Sequence, residues 1–227
     1  MVAPGTTILD DDTVTTVREI LDDPALPVDT AATGPGGVRA AALREAVDHL
    51  VSVRALAGAG RDRHTGARLR AELTALDAEL AAALTAHIGL TGVFAALPAS
   101  RARNAVLGDI GRGAVLTVAT EVRSAHWRDG RAPDRAGTLA ALDAEFVVED
   151  FPGLYDHIVV PLPATAAPPE PGALLILPTH RDRVGWQPLD PAAAGAGARW
   201  LVRLKRVTVH LDELVPFRGE LSAALAA

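Results

Sequence analysis

Residues 115–121, Val-Leu-Thr-Val-Ala-Thr-Glu, form the apolar run around which the rest of the chain is organised. An apolar run that ends in Thr120-Glu121 predicts a buried strand that emerges at a functional site. Before it, leucines recur at intervals of three and four, as they do on amphipathic helices. After it, the sequence contains only short β-type runs that are broken by Gly and Pro. This change of period predicts helices first and strands second, which is an α+β fold.

Helices are predicted before that run, and the predicted strands begin with it. Helices are predicted at 10–22, 38–57, 67–88 and 99–108, and strands at 114–121, 138–149, 156–162, 173–177 and 200–211. We therefore predict a helical domain over residues 1–113, an antiparallel, barrel-like β-domain over 114–217 and a C-terminal tail over 218–227.

Composition excludes several classes of function. A net charge of −6 offers no electrostatic reason to expect nucleic acid or an anionic membrane as a partner. The sequence contains no cysteine, so disulfides and thiolate chemistry are excluded. Neither a signal peptide nor an apolar stretch of about 18 residues is apparent, which predicts a cytoplasmic protein without a membrane span. Many alanines and a single lysine, Lys205, indicate a GC-rich, actinobacterial type of genome.

Motifs for common catalytic classes are absent from the sequence. It contains no phosphate-binding Walker loop, no GxGxxG, no HExxH and no Gly-x-Ser-x-Gly. Its seven histidines are scattered, and none has the paired spacing of a metal site on a helix. We therefore expect no metal.

A series of short motifs resembles the acyl-CoA dehydrogenase family in order and spacing. The resemblance covers about residues 70–217 and is carried by Ala86–Gly89, Leu97-Pro98, Gly108–Gly113, Thr120-Glu121, Tyr155–Val160, Ala173–Pro178 and Val207–Pro216. It implies a helical N-terminal domain, a β-barrel-like middle domain and a C-terminal four-helix domain, with FAD between the last two. It also implies that a carboxylate base, usually from the C-terminal domain, removes the substrate's α-proton while hydride passes to the flavin.

The sequence departs from the family's pattern at the places that hold flavin and base. The 227 residues end soon after the segment that resembles the middle domain, so we expect the C-terminal helical domain and its base to be missing. Arg123–Trp127 stand where the family has a Gly-Ser element. The family's Gly-x-Lys-x-Trp-Ile-Thr/Ser motif corresponds to Leu142–Val148, in which Val148 has no hydroxyl for a flavin. Phe146 would still offer an aromatic wall.

These departures favour a remodelled enzyme that needs no flavin. We expect a cyclisation, isomerisation or elimination on a large hydrophobic, polyketide-like substrate of specialised metabolism, in an apolar cavity that accelerates the reaction by positioning. One alternative is an FAD-dependent acyl-thioester oxidoreductase that a partner chain completes. Another is a non-catalytic subunit. A partner chain or a homodimer would then cover the surface of the absent domain.

Five residues are the candidate site. The resemblance places Thr117 and Thr120 at positions that face the flavin ring, with Phe146 beside them, as a vestigial flavin or substrate pocket. Glu121 and His126 are the candidate acid and base, because a carboxylate and an imidazole can both be tuned toward neutral pH. The alternative for Glu121 is to cap a backbone turn, and the alternative for His126 is to lie in a surface loop.

Overall fold

Helices come first and strands follow in the computed structural model, which describes residues 8–23, 37–58, 63–130, 132–133, 139–149, 152–162, 172–190 and 198–226. In these ranges the helices are α1 (Asp11–Asp22), α2 (Gly37–Ser52), α3 (Arg63–Leu76), α4 (Ala78–Ala96), α5 (Arg101–Gly111) and α6 (Leu221–Ala226). The strands are β1 (Leu116–Trp127), β2 (Ala140–Glu149), β3 (His157–Leu162), β4 (Ala173–Pro178), β5 (Val184–Pro188), β6 (Arg199–Val209) and β7 (Leu214–Pro216). The predicted α+β class is confirmed.

The single helix predicted at 67–88 is two helices that meet at Asp77. Asp77 has an extended backbone and caps α4, because its carboxylate accepts the backbone N–H of Leu80 at 2.8 Å. Aspartate is favoured at this position because its short side chain satisfies an N–H that has no partner within the helix. The leucine spacing continues across the break, so periodicity alone did not reveal it.

Helix α4 is the central helix of the domain. By length and overall composition it could cross a membrane, although the sequence analysis expected no span and the helix contains Glu79 and His87. Ten of its residues are buried, among them Leu84, Leu90 and Phe94. The eight apolar ones pack in two clusters, one with the other N-terminal helices and one against the sheet, as the core helix of a folded domain does.

The seven strands form one open, mixed sheet in the order β5-β6-β2-β1-β3-β4-β7. The predicted barrel is wrong, because β5 and β7 are the two ends of this order and the sheet does not close between them. Five of the six strand pairs in the described residues are antiparallel, and β1 and β3 are parallel. The parallel pair arises because β2 and β3 flank β1 on opposite sides while the chain reverses direction at each step.

Strand β1 is longer than the sequence suggested. It runs to Trp127, so that His126 lies in a strand rather than in the surface loop considered for it. Strands β5 and β7 were not predicted, since one is five residues long and contains Gly and Pro and the other has only three residues. A proline-rich loop is expected from the sequence at Pro161–Pro171, but Pro161 belongs to β3 and residues 163–171 lie outside the described residues.

Candidate functional site

A groove opens beside β1 where that strand parts from β3. The two strands pair only from Leu116 to Val118. Beyond Val118, β1 continues along β2 through two irregularities of register, between Ala119 and Glu121 and between Val122 and Ser124. Such bulges bend and twist a strand. In the described residues, no strand pairs with this edge of β1 beyond Val118.

The C-terminal segment forms the other wall of this groove. Strand β7 pairs with β4, and the backbone N–H of Phe217 donates to the carbonyl of Gly172 at 3.4 Å. Helix α6 then packs on α4, where a Cβ added to Gly89 would lie 2.9 Å from Leu225 Cδ2. The predicted tail 218–227 thus contains a helix that borders the site. Leu221 and Leu225, four residues apart in an alanine-rich stretch, were the signal that could have revealed it.

The groove has a volume of about 650 Å³ and is mainly apolar. The side chains of Thr120, Glu220 and Ser222 are the only polar ones among its described lining residues. The lining comprises Val118, Ala119, Thr120, Val122, Pro161, Leu162, Gly172, Ala173, Leu174, Phe217, Gly219, Glu220, Leu221, Ser222 and Leu225. This arrangement suits a hydrophobic molecule with one or two polar groups.

The structure does not gather the three predicted pocket residues in the groove. Thr120 lines it, and the Thr120 hydroxyl makes one long hydrogen bond, 3.4 Å, to the carbonyl of Val147. Thr117 is buried beside Ile158 of β3. Phe146 is completely buried in the core of the sheet and does not line the groove. Thr117 and Thr120 are three positions apart, so the alternation of the strand points them to opposite faces, and Thr120 lines the groove together with Val118.

The predicted acid and base also lie outside the groove. The Glu121 carboxylate is half exposed and forms ion pairs with Arg123, at 3.1 Å, and with Arg199, at 3.2 Å. His126 is exposed and stands opposite Asp143 in the register of β1 and β2. Neither lines the groove, so their catalytic roles remain predictions. Glu220, which sequence analysis did not single out, is the carboxylate that does line it.

Two histidines lie at the opposite end of β1 from the bulges. The backbone N–H of Leu116 donates to His87 Nδ1 at 3.2 Å, and burial lowers the pKa of His87 to about 4. His87 lies in the middle of α4, whereas the predicted helix 67–88 would have placed it near a helix end. Burial also lowers the pKa of His157, whose Nε2 lies 3.5 Å from Asp109 Oδ2.

Comparison with known proteins identifies the fold. No protein-family profile and no curated protein matches the sequence. Solved structures do match. One is FkbI for biosynthesis of the methoxymalonyl extender unit of the Fk520 polyketide, and another is a glutaryl-CoA dehydrogenase from Mycobacterium smegmatis in complex with FADH2. A third is TdsC from Paenibacillus sp. A11-2 with FMN and indole. The sequence identities are 18%, 17% and 20%, and the TM-scores are 0.62, 0.55 and 0.57.

These matches cover nearly all of this chain but little more than half of the neighbours. They extend over 94%, 96% and 94% of this chain and over 62%, 58% and 54% of the other chains, respectively. The chain is therefore an α+β protein with the acyl-CoA dehydrogenase fold, and it spans about three fifths of the length of the structures that it resembles. The resemblance inferred from the sequence motifs is confirmed at the level of the fold.

Proposed function

We propose that this chain is a flavin-independent enzyme that binds a hydrophobic small molecule in the groove between β1, β3, β4 and α6. The reaction class is a cyclisation, isomerisation or elimination, and the substrate is an apolar, polyketide-like compound in the cytoplasm. The observation that carries the proposal is the lining of the groove, which is apolar apart from two hydroxyl groups and one carboxylate.

The groove fits an apolar ring system better than a flavin dinucleotide. No arginine or lysine is among its described lining residues, whereas a diphosphate requires cationic groups or several N–H donors. The Glu220 carboxylate would repel a diphosphate. Val148, at the position where the family carries a hydroxyl, is completely buried and pairs in register with Ala119. Its side chain therefore offers neither a donor nor a free surface.

The chemistry that we propose rests on Glu220, Thr120 and Ser222. A carboxylate beside an apolar ligand can remove or return a proton, and a hydroxyl can hold a substrate oxygen in place. The apolar walls would fix the conformation of a flexible substrate, and such positioning can contribute several powers of ten to the rate of an intramolecular step. The polar groups that are needed for one proton transfer are therefore present in the groove.

Titration calorimetry with indole and with FAD tests this proposal. We expect saturable binding of indole and no FAD binding tighter than about 1 μM, which corresponds to about 8 kcal/mol. Thr120→Phe should fill the groove and abolish indole binding. Thr208→Phe is the matched control, because Thr208 is an exposed strand threonine of β6 that does not line the groove.

Substrate turnover distinguishes the acid-base roles. Once a substrate is found among apolar polyketide-type compounds, Glu220→Gln should lower turnover by about a hundredfold. Glu121→Gln is the matched control from outside the groove.

If indole binds equally to the wild type and to Thr120→Phe, the groove is not the ligand site and the proposal fails.

A second candidate function is an FAD-dependent oxidoreductase that a partner chain completes. The flavins named with two of the structural neighbours, FADH2 and FMN, favour it. In this arrangement the partner would supply the cationic groups that the described lining of the groove lacks, and it would cover the apolar groove. Copurification of a yellow complex with an absorption band typical of flavin would replace the first proposal by this one. If the chain shows no ligand binding and no turnover, that result would instead support a non-catalytic subunit.

A further inference from the structure

A second cleft, of about 610 Å³, lies on the face of β5 and β6 that points away from the core, and it shares no lining residue with the groove. Gly185 of β5 pairs in register with Arg203 of β6. Val202 and Leu204, on either side of Arg203 in the chain, belong to the core, so this pair faces outward. The nearest atom that a Cβ added to Gly185 would meet is the Arg203 carbonyl oxygen, at 3.9 Å, so the missing side chain leaves an open depression.

Positive charge is concentrated in this cleft. Four of its eight described lining residues are cationic and none is acidic, although the chain carries a net charge of −6. The cations are Arg183, Arg203, Lys205 and Arg206, and Lys205 is the only lysine in the sequence. The cleft thus has the charge that an anionic ligand requires, in contrast to the groove, whose described lining contains no cation.

A bulge in β6 brings two of these cations to the surface together. The pairing of β6 with β2 shifts register there, so that Lys205 and Arg206 both lie opposite Asp143. The Asp143 carboxylate accepts the backbone N–H of Arg206 at 2.6 Å and stabilises the bulge, in which Arg206 has a φ of 54°. Lys205 and Arg206 are consequently both exposed, whereas consecutive residues of a regular strand point to opposite faces.

Arg183 faces these two cations from the start of β5. It lies directly opposite Lys205, whose backbone N–H donates to the Arg183 carbonyl at 3.2 Å. The Arg183 guanidinium donates from Nη1 to the carbonyl of Arg206, also at 3.2 Å, so it lies beside the bulge. Like charges at opposite positions of two strands repel each other. A multivalent anion bound between them would replace this repulsion by attraction.

The carboxylates of β2 beside the cleft are engaged by other groups. Glu145 is ion-paired with Arg203 at 2.9 Å, and Asp143 is ion-paired with Arg128 at 2.8 Å. Among the described residues, no carboxylate forms an ion pair with the other three cations of the cleft, Arg183, Lys205 and Arg206. Three positive charges are therefore available to a ligand.

We propose that this cleft binds a small molecule through a terminal diphosphate group. The phosphates lie over Gly185. Lys205 supplies a point charge, and the guanidinium groups of Arg183 and Arg206 donate to phosphate oxygens. One phosphate ester carries about 1.5 to 2 negative charges and three acceptor oxygens, so a diphosphate matches three cations better than a carboxylate or a single phosphate does. Nucleotides and isoprenoid compounds are two sources of such a group.

The test is titration calorimetry of the full chain at pH 7 with pyrophosphate and inorganic phosphate, at physiological ionic strength, which screens diffuse attraction. We expect saturable binding of pyrophosphate, with inorganic phosphate at least about tenfold weaker. Lys205→Gln should weaken pyrophosphate binding by about tenfold, because it removes a charge at an exposed position. Gly185→Val should weaken it by about tenfold or more while all four cations remain, because the added side chain fills the cleft and suits a strand.

Arg18→Gln is the matched control, because Arg18 is an exposed arginine of α1 that does not line the cleft, and it should leave the pyrophosphate affinity unchanged. The proposal is overturned if pyrophosphate shows no saturable binding, if inorganic phosphate binds as tightly, or if Gly185→Val binds pyrophosphate undiminished. Undiminished affinity of Lys205→Gln also overturns it, and this variant decides the matter even where Gly185→Val fails to fold. Titration with ADP and with isopentenyl diphosphate then identifies the source of the group, and binding of neither overturns the proposal.

Discussion

Replacing His87 by Asn should reduce the loss of stability that this protein suffers on mild acidification. The buried imidazole accepts the Leu116 N–H and must remain neutral while the chain is folded. Burial is the dominant cause of its low pKa of about 4, and the nearby charge of Asp156 opposes it. Asn keeps an acceptor for the same N–H and does not titrate. The difference between the two proteins therefore isolates the protonation of one side chain.

The direction and size of this effect follow from proton linkage. Below its ordinary pKa of 6.5 the unfolded histidine binds a proton, whereas the folded one remains neutral down to about 4. The stabilisation is thus complete above pH 6.5 and is lost as the pH falls toward 4. At about 1.4 kcal/mol per pKa unit, the total is about 3 kcal/mol, of which about 2 kcal/mol is lost between pH 7 and pH 5.

Urea denaturation at pH 7, 6 and 5 measures this difference. The free energy of unfolding of the wild type should fall by about 2 kcal/mol more than that of His87→Asn over this range. The low pKa of His157 contributes equally to both proteins and cancels. His126→Asn, at an exposed strand position, is the control for the loss of a histidine as such. Equal pH dependence of the wild type and His87→Asn, or an NMR titration of His87 near pH 6.5, would refute the reasoning.

Three further substitutions test the fold and the site. Gly113→Ala should lower the free energy of unfolding by about 3 kcal/mol in urea titrations, from the positive φ and the contact with Val51, and Val51→Ala in the same chain should recover the part due to the contact. Asp77→Ala should cost about 1 kcal/mol or more by removing the acceptor for the Leu80 N–H and the ion pair with Arg39, and Asp77→Asn should cost less because it keeps the cap and loses only the charge. Glu121→Gln should change stability by less than about 1 kcal/mol, because its ion pairs are exposed, and should leave indole binding in the groove intact. A large loss of turnover in Glu121→Gln would instead restore the acid-base role predicted from the sequence.

Sequence analysis found the elements whose signals are local. The helical spacing of leucines, the apolar run at 115–121 and the order of short motifs were sufficient for the α+β class and for the acyl-CoA dehydrogenase fold. The break at Asp77 was missed because the leucine spacing continues across it from Leu73 and Leu76 to Leu80 and Leu84. The barrel was wrong because strand pairing depends on which strand lies beside which, and local patterns carry no such information.

The candidate site was the least predictable part of the protein. Thr120 was named because the resemblance places it at a position that faces the flavin ring, and in the structure it lines the groove, while its role stays a prediction. Glu220 and Ser222 were not found, because they reach the groove only through the pairing of β7 with β4 and the packing of α6 on α4.

The sequence by itself determined the helices, the principal strands and the apolar surfaces that they bury, because those features depend on residue type and spacing along a short segment. The tertiary structure alone decided which side chains share a cavity. The pairing of β7 with β4 and the packing of α6 on α4 bring Glu220 and Ser222 to the groove that Thr120 lines, and burial converts His87 from an ordinary helical histidine into a neutral donor without a partner in the described residues. Both outcomes depend on contacts between residues that are far apart in the chain, and such contacts leave no periodic trace in the sequence.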